Sequence, residues 1–345
     1  MRAVVLSYSH HGRGLAAAAR ELGHEIVGAM DAEETPRAEL AEAFDCPGYA
    51  DAGTCLDAVR PDVALVSGKH TEIPAHLQAC VDRRIPYIVD KPFADCAARL
   101  RPIAEASERH GVFSACTLPN RKSHLVPLVK EMMADGRLGE LVLFGSRLNN
   151  GPPSRYDTSH SYWHNDPAIS GGGSWAIEAA HGIDTFLDVV GNVAVQAVGG
   201  VMSNAMFGRP FEDWGMGVLR TLGGVTGVIE AGYTYPAGTY GGDHFFRFVG
   251  TNAMVFERYD RQHRPVIEVH TSAGVEFIPD NTNRERFPAI IDDAFRALAA
   301  EESFVPDIGQ AVRILEAQDA VYAFARANPA ANGPHPMAPA PAPST

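Results

Sequence analysis

The sequence has no run of about 18 apolar residues, the length that a membrane-spanning helix needs. It has no excess of positive charge: 29 lysines and arginines stand against 42 aspartates and glutamates, a net charge of −13. Such a surface repels a phosphate backbone, so neither nucleic acid nor membrane is an expected partner. Cysteine is scarce, with five residues (Cys46, Cys55, Cys80, Cys96 and Cys116), an odd number without a C-x-x-C pair. That excludes a disulfide framework and reads as free thiols in a reducing, cytoplasmic setting. The opening MRAVVLSYS lacks a long apolar core and reads as a first strand, not a secretory signal. What is present is ordinary for a globular protein: 46% hydrophobic and 21% charged residues over 345 positions. That length suggests about two domains. Residues 328–345 form a proline- and alanine-rich tail with little to bury, expected to be disordered.

Apolar runs alternate with helical patterns through the first 120 residues. Strands are expected at 2–6, 25–30, 63–66, 86–89 and 112–116, with helices at 15–22, 36–44, 74–83 and 97–110. This alternation predicts β-α-β units and a doubly wound parallel sheet. The pattern then changes. A helix at 125–134 and a strand at 141–148 lead into a polar stretch, 149–173, rich in glycine, proline, histidine and aromatics. A helix at 174–190 follows. Strand-like sequence with glycine turns continues to about residue 280, and helices at 287–300 and 308–327 close the chain. We therefore expect a domain over 1–120, a second α/β domain over 121–327 with a large, open, mostly antiparallel sheet, and the tail. The last helix is expected to pack back on the first domain.

The first β-α turn is Ser7-Tyr8-Ser9-His10-His11-Gly12, where a dinucleotide-binding G-x-G-x-x-G would sit. Two of the three glycines are serine, whose Cβ crowds the pyrophosphate path although its hydroxyl can donate to phosphate. His10 and His11 read as turn residues. Asp31 lies 19 residues beyond Gly12, at the end of the second strand, where a carboxylate would accept bonds from ribose hydroxyls. It would also repel a 2′-phosphate, and Ala32 and Glu33 follow it in place of arginine, so NAD is expected over NADP. Asp90-Lys91-Pro92 ends the fourth strand, at the sheet edge where ligands bind.

In order and spacing these features resemble the Gfo/Idh/MocA family, the glucose–fructose oxidoreductase and inositol dehydrogenase group, over about residues 1–327. Asp90-Lys91-Pro92 resembles its E-K-P and Asn120-Arg121 its N-R step. Asp135-Gly136-Arg137-Leu138-Gly139-Glu140 resembles its G-x-L/I-G-E segment. Trp163, Asp166-Pro167 and Ser170-Gly171-Gly172-Gly173 follow its W-x-x-D-P-x-x-S-G-G-G stretch. His181-Gly182-Ile183-Asp184 matches its H-x-x-D, and Gly250-Thr251 its late G-T. The resemblance implies a Rossmann domain, a C-terminal α/β domain, a nicotinamide cofactor, a sugar, cyclitol or related polyol substrate, and a homodimer or homotetramer. Lys91 would hold the substrate oxygen and His181 would be the acid/base. Cofactor contacts are expected from Ser7, Ser9, His10, His11 and Gly12, from Asp31, from Gly68, Lys69 and His70, and from Asp90, Lys91 and Asn120. Substrate contacts are expected from Tyr162, Trp163, Glu178 and Asp184.

Three departures bear on turnover. Relatives with D-x-G-x-H carry an Asp where Ile177 stands and a Gly where Ala179 stands, with Glu178 the nearest carboxylate. Lys69 replaces the proline of the family's segment after the third strand, and the phosphate turn has its serines. His160 and His164 are four apart, but the stretch is loop-like and has no third ligand at motif spacing, so no metal is expected. Two other readings stay open: a dinucleotide-binding sensor or scaffold without turnover, and redox-assisted bond cleavage with tightly held NAD.

Overall fold

The computed structural model describes residues 1–9, 11–157, 160–236 and 243–328. The tail expected beyond Asn328, His10 of the first turn, and residues 158–159 and 237–242 lie outside the described residues. Strands β1 (Arg2–Leu6), β2 (Glu25–Met30), β3 (Gly48–Tyr49), β4 (Val63–Val66), β5 (Tyr87–Asp90) and β6 (Ser114–Thr117) alternate with five helices. These are α1 (Gly12–Glu21), α2 (Glu34–Phe44), α3 (Ala52–Val59), α4 (Ile73–Asp82) and α5 (Ala97–His110). The strands form one parallel sheet in the order β3-β2-β1-β4-β5-β6. Every residue of β4, β5 and β6 is buried. Helices on both faces of a parallel sheet demand this, and it explains why those strands read as continuous apolar runs.

The sequence reading gave five strands here, whereas the structure has six, with α3 between β3 and β4. The strand β3 is only two residues long, too short for a pattern. Helix α3 carries glycine and threonine, poor helix formers, near its start. It is held by Asp51, whose carboxylate caps it by accepting from the Thr54 amide at 2.8 Å.

Helix α6 (Leu125–Ala134) leads to β7 (Leu141–Asn149), and after the polar stretch come α7 (Pro167–Ser170) and α8 (Ser174–Val189). Then follow β8 (Val195–Ser203), β9 (Trp214–Thr221), β10 (Thr226–Gly232), β11 (Asp243–Gly250), β12 (Met254–Tyr259), β13 (Pro265–Thr271) and β14 (Gly274–Pro279). The second sheet runs β14-β13-β12-β11-β7-β10-β9-β8. All its pairs are antiparallel except β7–β10, where Ser146 lies opposite Ile229 in parallel register. Helices α9 (Asn283–Ala299) and α10 (Ile308–Ala327) end the described chain. Helix α10 packs on both α8 and α5, and Asp319 accepts from the Ala97 amide at 2.9 Å at the start of α5.

Helix α8 begins unusually close to its neighbours. The amides of Gly173 and Trp175 donate to the buried Glu212 carboxylate at 2.8 and 3.1 Å, which closes the helix N-terminus. A Cβ on Gly173 would lie 2.0 Å from the Glu212 carbonyl oxygen, so only glycine admits this approach. No helix among the described residues is long and apolar enough to cross a membrane.

Candidate active site between the two sheets

A cavity of about 550 Å³ opens between the carboxyl ends of β5 and β6, the middle of α8 and the inner face of the second sheet. Lys91, the residue after β5, reaches into it and is nearly buried. Its Nζ donates to the Ile177 carbonyl at 3.3 Å and lies 3.7 Å from Glu178 Oε2. His181 is on the same wall, because three residues along α8 from Glu178 return nearly to the same face. Burial, with Lys91 adding to it, pushes the His181 imidazole down to about 3, so it stands neutral. Burial alone would raise Glu178, but Lys91 first and Arg155 next outweigh it and hold the carboxylate below the usual range. Asn150 Nδ2 and the Tyr156 hydroxyl donate to Glu178 Oε1 at 2.6 and 3.3 Å. His244 in turn has its Nε2 3.2 Å from Asn150 Oδ1.

A second pair shares the cavity. His11, at the N-terminus of α1, has its Nδ1 2.6 Å from Asp90 Oδ2, and Thr117 Oγ1 donates to the other carboxylate oxygen. Asp90 is fully buried, which by itself raises its pKa. The neighbouring His11, Lys91 and Thr117 reverse that and keep it below its ordinary value. Asn120 also lines the cavity.

The sequence reading therefore brings Lys91, His181, Glu178, Asp90, His11 and Asn120 to one place. The other expected residues that the structure describes lie elsewhere. Asp184, expected at the substrate, is buried one turn further along α8 and accepts from Arg121 Nη2 at 2.6 Å and Nε at 3.1 Å. Tyr162 and Trp163, also expected at the substrate, lie instead against the first sheet: the Tyr162 hydroxyl donates to Glu33 on the loop after β2, and the buried Trp163 indole donates to Ser9 Oγ on the phosphate turn. His70 is buried with its Nδ1 2.6 Å from the Ser170 carbonyl and its ring edge-on to Trp163. Asn150, Arg155 and His244 had no motif to mark them. Asn150 and Arg155 come from the stretch after β7 and His244 from β11, whose pairing with β7 sets His244 opposite Leu148, a register invisible locally.

A nicotinamide dinucleotide fits these residues in part. Gly12 closes tightly on the first turn, where a Cβ would lie 1.9 Å from the Ser7 carbonyl, and Lys91, His181 and Asn120 offer the polar end that a reacting centre needs. The residues expected to meet the adenosine half are covered by the chain itself. Ser7, Ser9 and Asp31 are buried, and Asp31 accepts from Ser7 Oγ, the Tyr8 amide and the Glu33 amide. Ser7 and Asp31 were expected to hold pyrophosphate and ribose, and in this conformation they hold each other. Gly68 packs on Ser7, and Lys69 pairs with Glu33 at 2.7 Å. Among the described residues no group of three His, Cys, Asp or Glu is placed to hold a metal ion.

Residues 4–117 match the model of an oxidoreductase family with an NAD-binding Rossmann fold, and residues 126–256 match the GFO/IDH/MocA C-terminal domain. No curated protein sequence matches. Solved structures do match over nearly the whole chain. An NAD-binding oxidoreductase from Klebsiella pneumoniae is 16% identical, covers 95% of this chain and 97% of its own, and has a TM-score of 0.80. Levoglucosan dehydrogenase, in complex with NADH and levoglucosan, is 18% identical with the same coverage, 95% and 97%, and a TM-score of 0.80. A 3-ketoreductase from Actinomadura kijaniata, in complex with TDP-benzene and NADP, is 15% identical, covers 98% and 99%, and has a TM-score of 0.77. Such identities speak for the fold. The two domain matches, in order along one chain, with their Rossmann sheet and mixed C-terminal sheet, make this protein a member of the Gfo/Idh/MocA family of oxidoreductases.

Proposed function

We propose that this chain is a nicotinamide-dependent oxidoreductase acting on a carbinol of a small hydroxylated molecule, a sugar, cyclitol or related polyol, in the cavity between the two sheets. The observation that carries this is the convergence of Lys91, His181 and Glu178 in one cavity from separate domains. Lys91 Nζ holds the substrate oxygen, for which it exchanges its weak bond to the Ile177 carbonyl. Neutral His181 takes the hydroxyl proton as the carbonyl forms, and Glu178, close to both, stabilises the imidazolium. Lys91, His181 and Asn120 would hold the nicotinamide end of the cofactor, which when bound supplies the hydride acceptor. Binding is tested by calorimetry with NAD. Turnover is tested by NADH absorbance with a polyol panel that begins with levoglucosan, the compound in the related dehydrogenase complex. We expect exchangeable NAD and reduction that depends on one panel member. A chain that binds no dinucleotide is not this enzyme. One that holds NAD without exchange and cleaves its substrate points to internal redox cycling.

A further inference from the structure

The crevice for adenosine lies at the carboxyl end of β1, between the loops that follow its two neighbours, β2 and β4. The loop after β2 carries two carboxylates, Asp31 and Glu33, and they differ in what they face. Asp31 is 7% exposed, and both its oxygens are spent inside the chain. Oδ2 accepts from Ser7 Oγ at 3.1 Å and the Tyr8 amide at 2.9 Å, and Oδ1 accepts from the Glu33 amide at 3.0 Å. It latches the phosphate turn to the end of β2. The Glu33 side chain is 39% exposed and crosses the crevice. Its Oε1 accepts from Lys69 Nζ, on the loop after β4, at 2.7 Å, and from the Tyr162 hydroxyl at 3.1 Å.

That second bond is the telling one. An O–H donated to a carboxylate at the rim of this crevice is what a ribose hydroxyl would offer. Tyr162 comes from a segment of the polar stretch that also satisfies the phosphate turn. Trp163 Nε1 donates to Ser9 Oγ, which donates to the His160 carbonyl at 2.7 Å. The His160 ring lies 4.1 Å from Tyr8. Residues 160–163 thus make hydrogen bonds of the kind a dinucleotide would make.

Given the dinucleotide of the proposed function, we propose that Glu33, not Asp31, is the carboxylate that reads the adenosine ribose, that Lys69 beside it sets the tolerance for a 2′-phosphate, and that the Tyr162 hydroxyl holds the ribose position until the dinucleotide displaces it. With Glu33 in place, the 2′-hydroxyl of NAD finds an acceptor and a 2′-phosphate meets like charge. Without it, Lys69 keeps only the longer pairing with Glu72, 3.4 Å from its Nζ, and can turn to the phosphate. This places cofactor choice two residues beyond the position that the first-turn spacing indicates.

Calorimetry with NAD and with NADP tests this on the full chain, with no substrate required. The native protein should prefer NAD. Glu33→Gln should shift the NAD/NADP affinity ratio toward NADP by about tenfold or more, because one negative charge is removed from beside the phosphate. Lys69→Met added to it should remove the gain for NADP. Asp31→Asn should weaken both dinucleotides together and lower Tm, leaving the ratio within about twofold, the mark of a latch rather than a reader. Tyr162→Phe should tighten both by about three- to tenfold, because one competing hydrogen bond is lost. A ratio that moves with Asp31→Asn and stays fixed with Glu33→Gln overturns the assignment. Tyr162→Phe that weakens binding overturns the competition. If neither the native protein nor Tyr162→Phe binds either dinucleotide, the proposed function falls as well. If both bind and a polyol is oxidised while the ratios disobey, only this inference falls.

Discussion

Burial, and Lys91 after it, keep the His181 imidazole neutral, while Glu178 and Asp90 pull the other way. A neutral imidazole beside Lys91 and Glu178 is ready to accept a proton, and no other side chain of α8 offers a neutral base to the cavity. His181→Ala is expected to lower kcat by roughly 10²–10⁴ while NAD affinity stays near native, and Lys91→Ala to do similar damage. The double variant should lose far less than the product, because both residues serve one proton transfer. Kinetics of the three proteins on the panel substrate decide it, and undiminished turnover in a folded His181→Ala protein removes the residue from the mechanism. The same burial recurs at His70, His76, His164 and His244, all pushed down by desolvation, His70 to about 3 and His76 and His244 to about 4. Unfolded histidines take up protons near pH 6.5, whereas these native ones do not until the pH is far lower. Their stabilisation is therefore complete above pH 6.5 and drains away as the pH falls below it, by roughly 1–2 kcal/mol at pH 5 for each of His181, His70, His76 and His244. Buried Glu257, raised to about 8, has the opposite sign: its contribution is complete below about pH 4.5 and is lost as the pH climbs through 8. Five histidines outweigh it, so Tm should fall steeply between pH 7 and pH 5. A flat Tm over that interval would show these histidines to be solvated.

Among the elements, the segment around Tyr162 and Trp163 shows where local sequence stops being informative. The β-α alternation was legible because strands buried on both faces are apolar throughout, and Lys91 could be placed because strand ends are where such sheets bind ligands. The pair Lys91 and His181 also followed, from a family pattern and not from periodicity. Tyr162 and Trp163 are aromatics in a polar loop, and nothing within that loop says which sheet they will meet. The partner of Trp163 is Ser9, 154 residues away, and the partner of Asp184 is Arg121, 63 residues away. Both are choices of the assembled tertiary structure. The placement makes a prediction about the element as a unit. If the segment must leave the crevice for the adenosine half to enter, the buried Trp163 indole moves from a dry site against Ser9 toward water. Tryptophan emission should then shift to longer wavelength as NAD is added, and the shift should vanish in Trp163→Phe although Trp175 and Trp214 remain. Saturating NAD with an unmoved spectrum would mean that the cofactor binds with the segment in place.

For the whole molecule, the second sheet poses the remaining problem. Helices α8 and α10 cover one of its faces, burying Leu219, Ile229, Phe144 and Phe248. The strands alternate, so Trp214, Met216, Val218, Val228, Phe245 and Phe256 point the other way, and all are only half-buried. Arg147 and Glu230, paired at 2.8 Å, lie among them, with Arg147 also over the Phe245 ring at 4.9 Å. A face that mixes aromatics and aliphatics with internally paired charges has the composition of an interface more than of a solvated surface. A second copy of the chain, meeting it face to face about a two-fold axis, would cover the same patch on both partners. Each partner needs to bury about 800 Å² for a stable association, and an eight-stranded sheet has room for that. We therefore expect light scattering at micromolar concentration to return about twice the 37.0 kDa chain mass, or a higher even multiple. Met216→Glu, in the middle of β9, should reduce it to the single-chain mass, because a carboxylate there would be buried without a partner. The cavity lies on the opposite face, so the variant should keep its affinity for NAD. A native particle of one chain mass would show this face to be tolerated by water alone, and a Met216→Glu particle that remains dimeric would move the interface elsewhere.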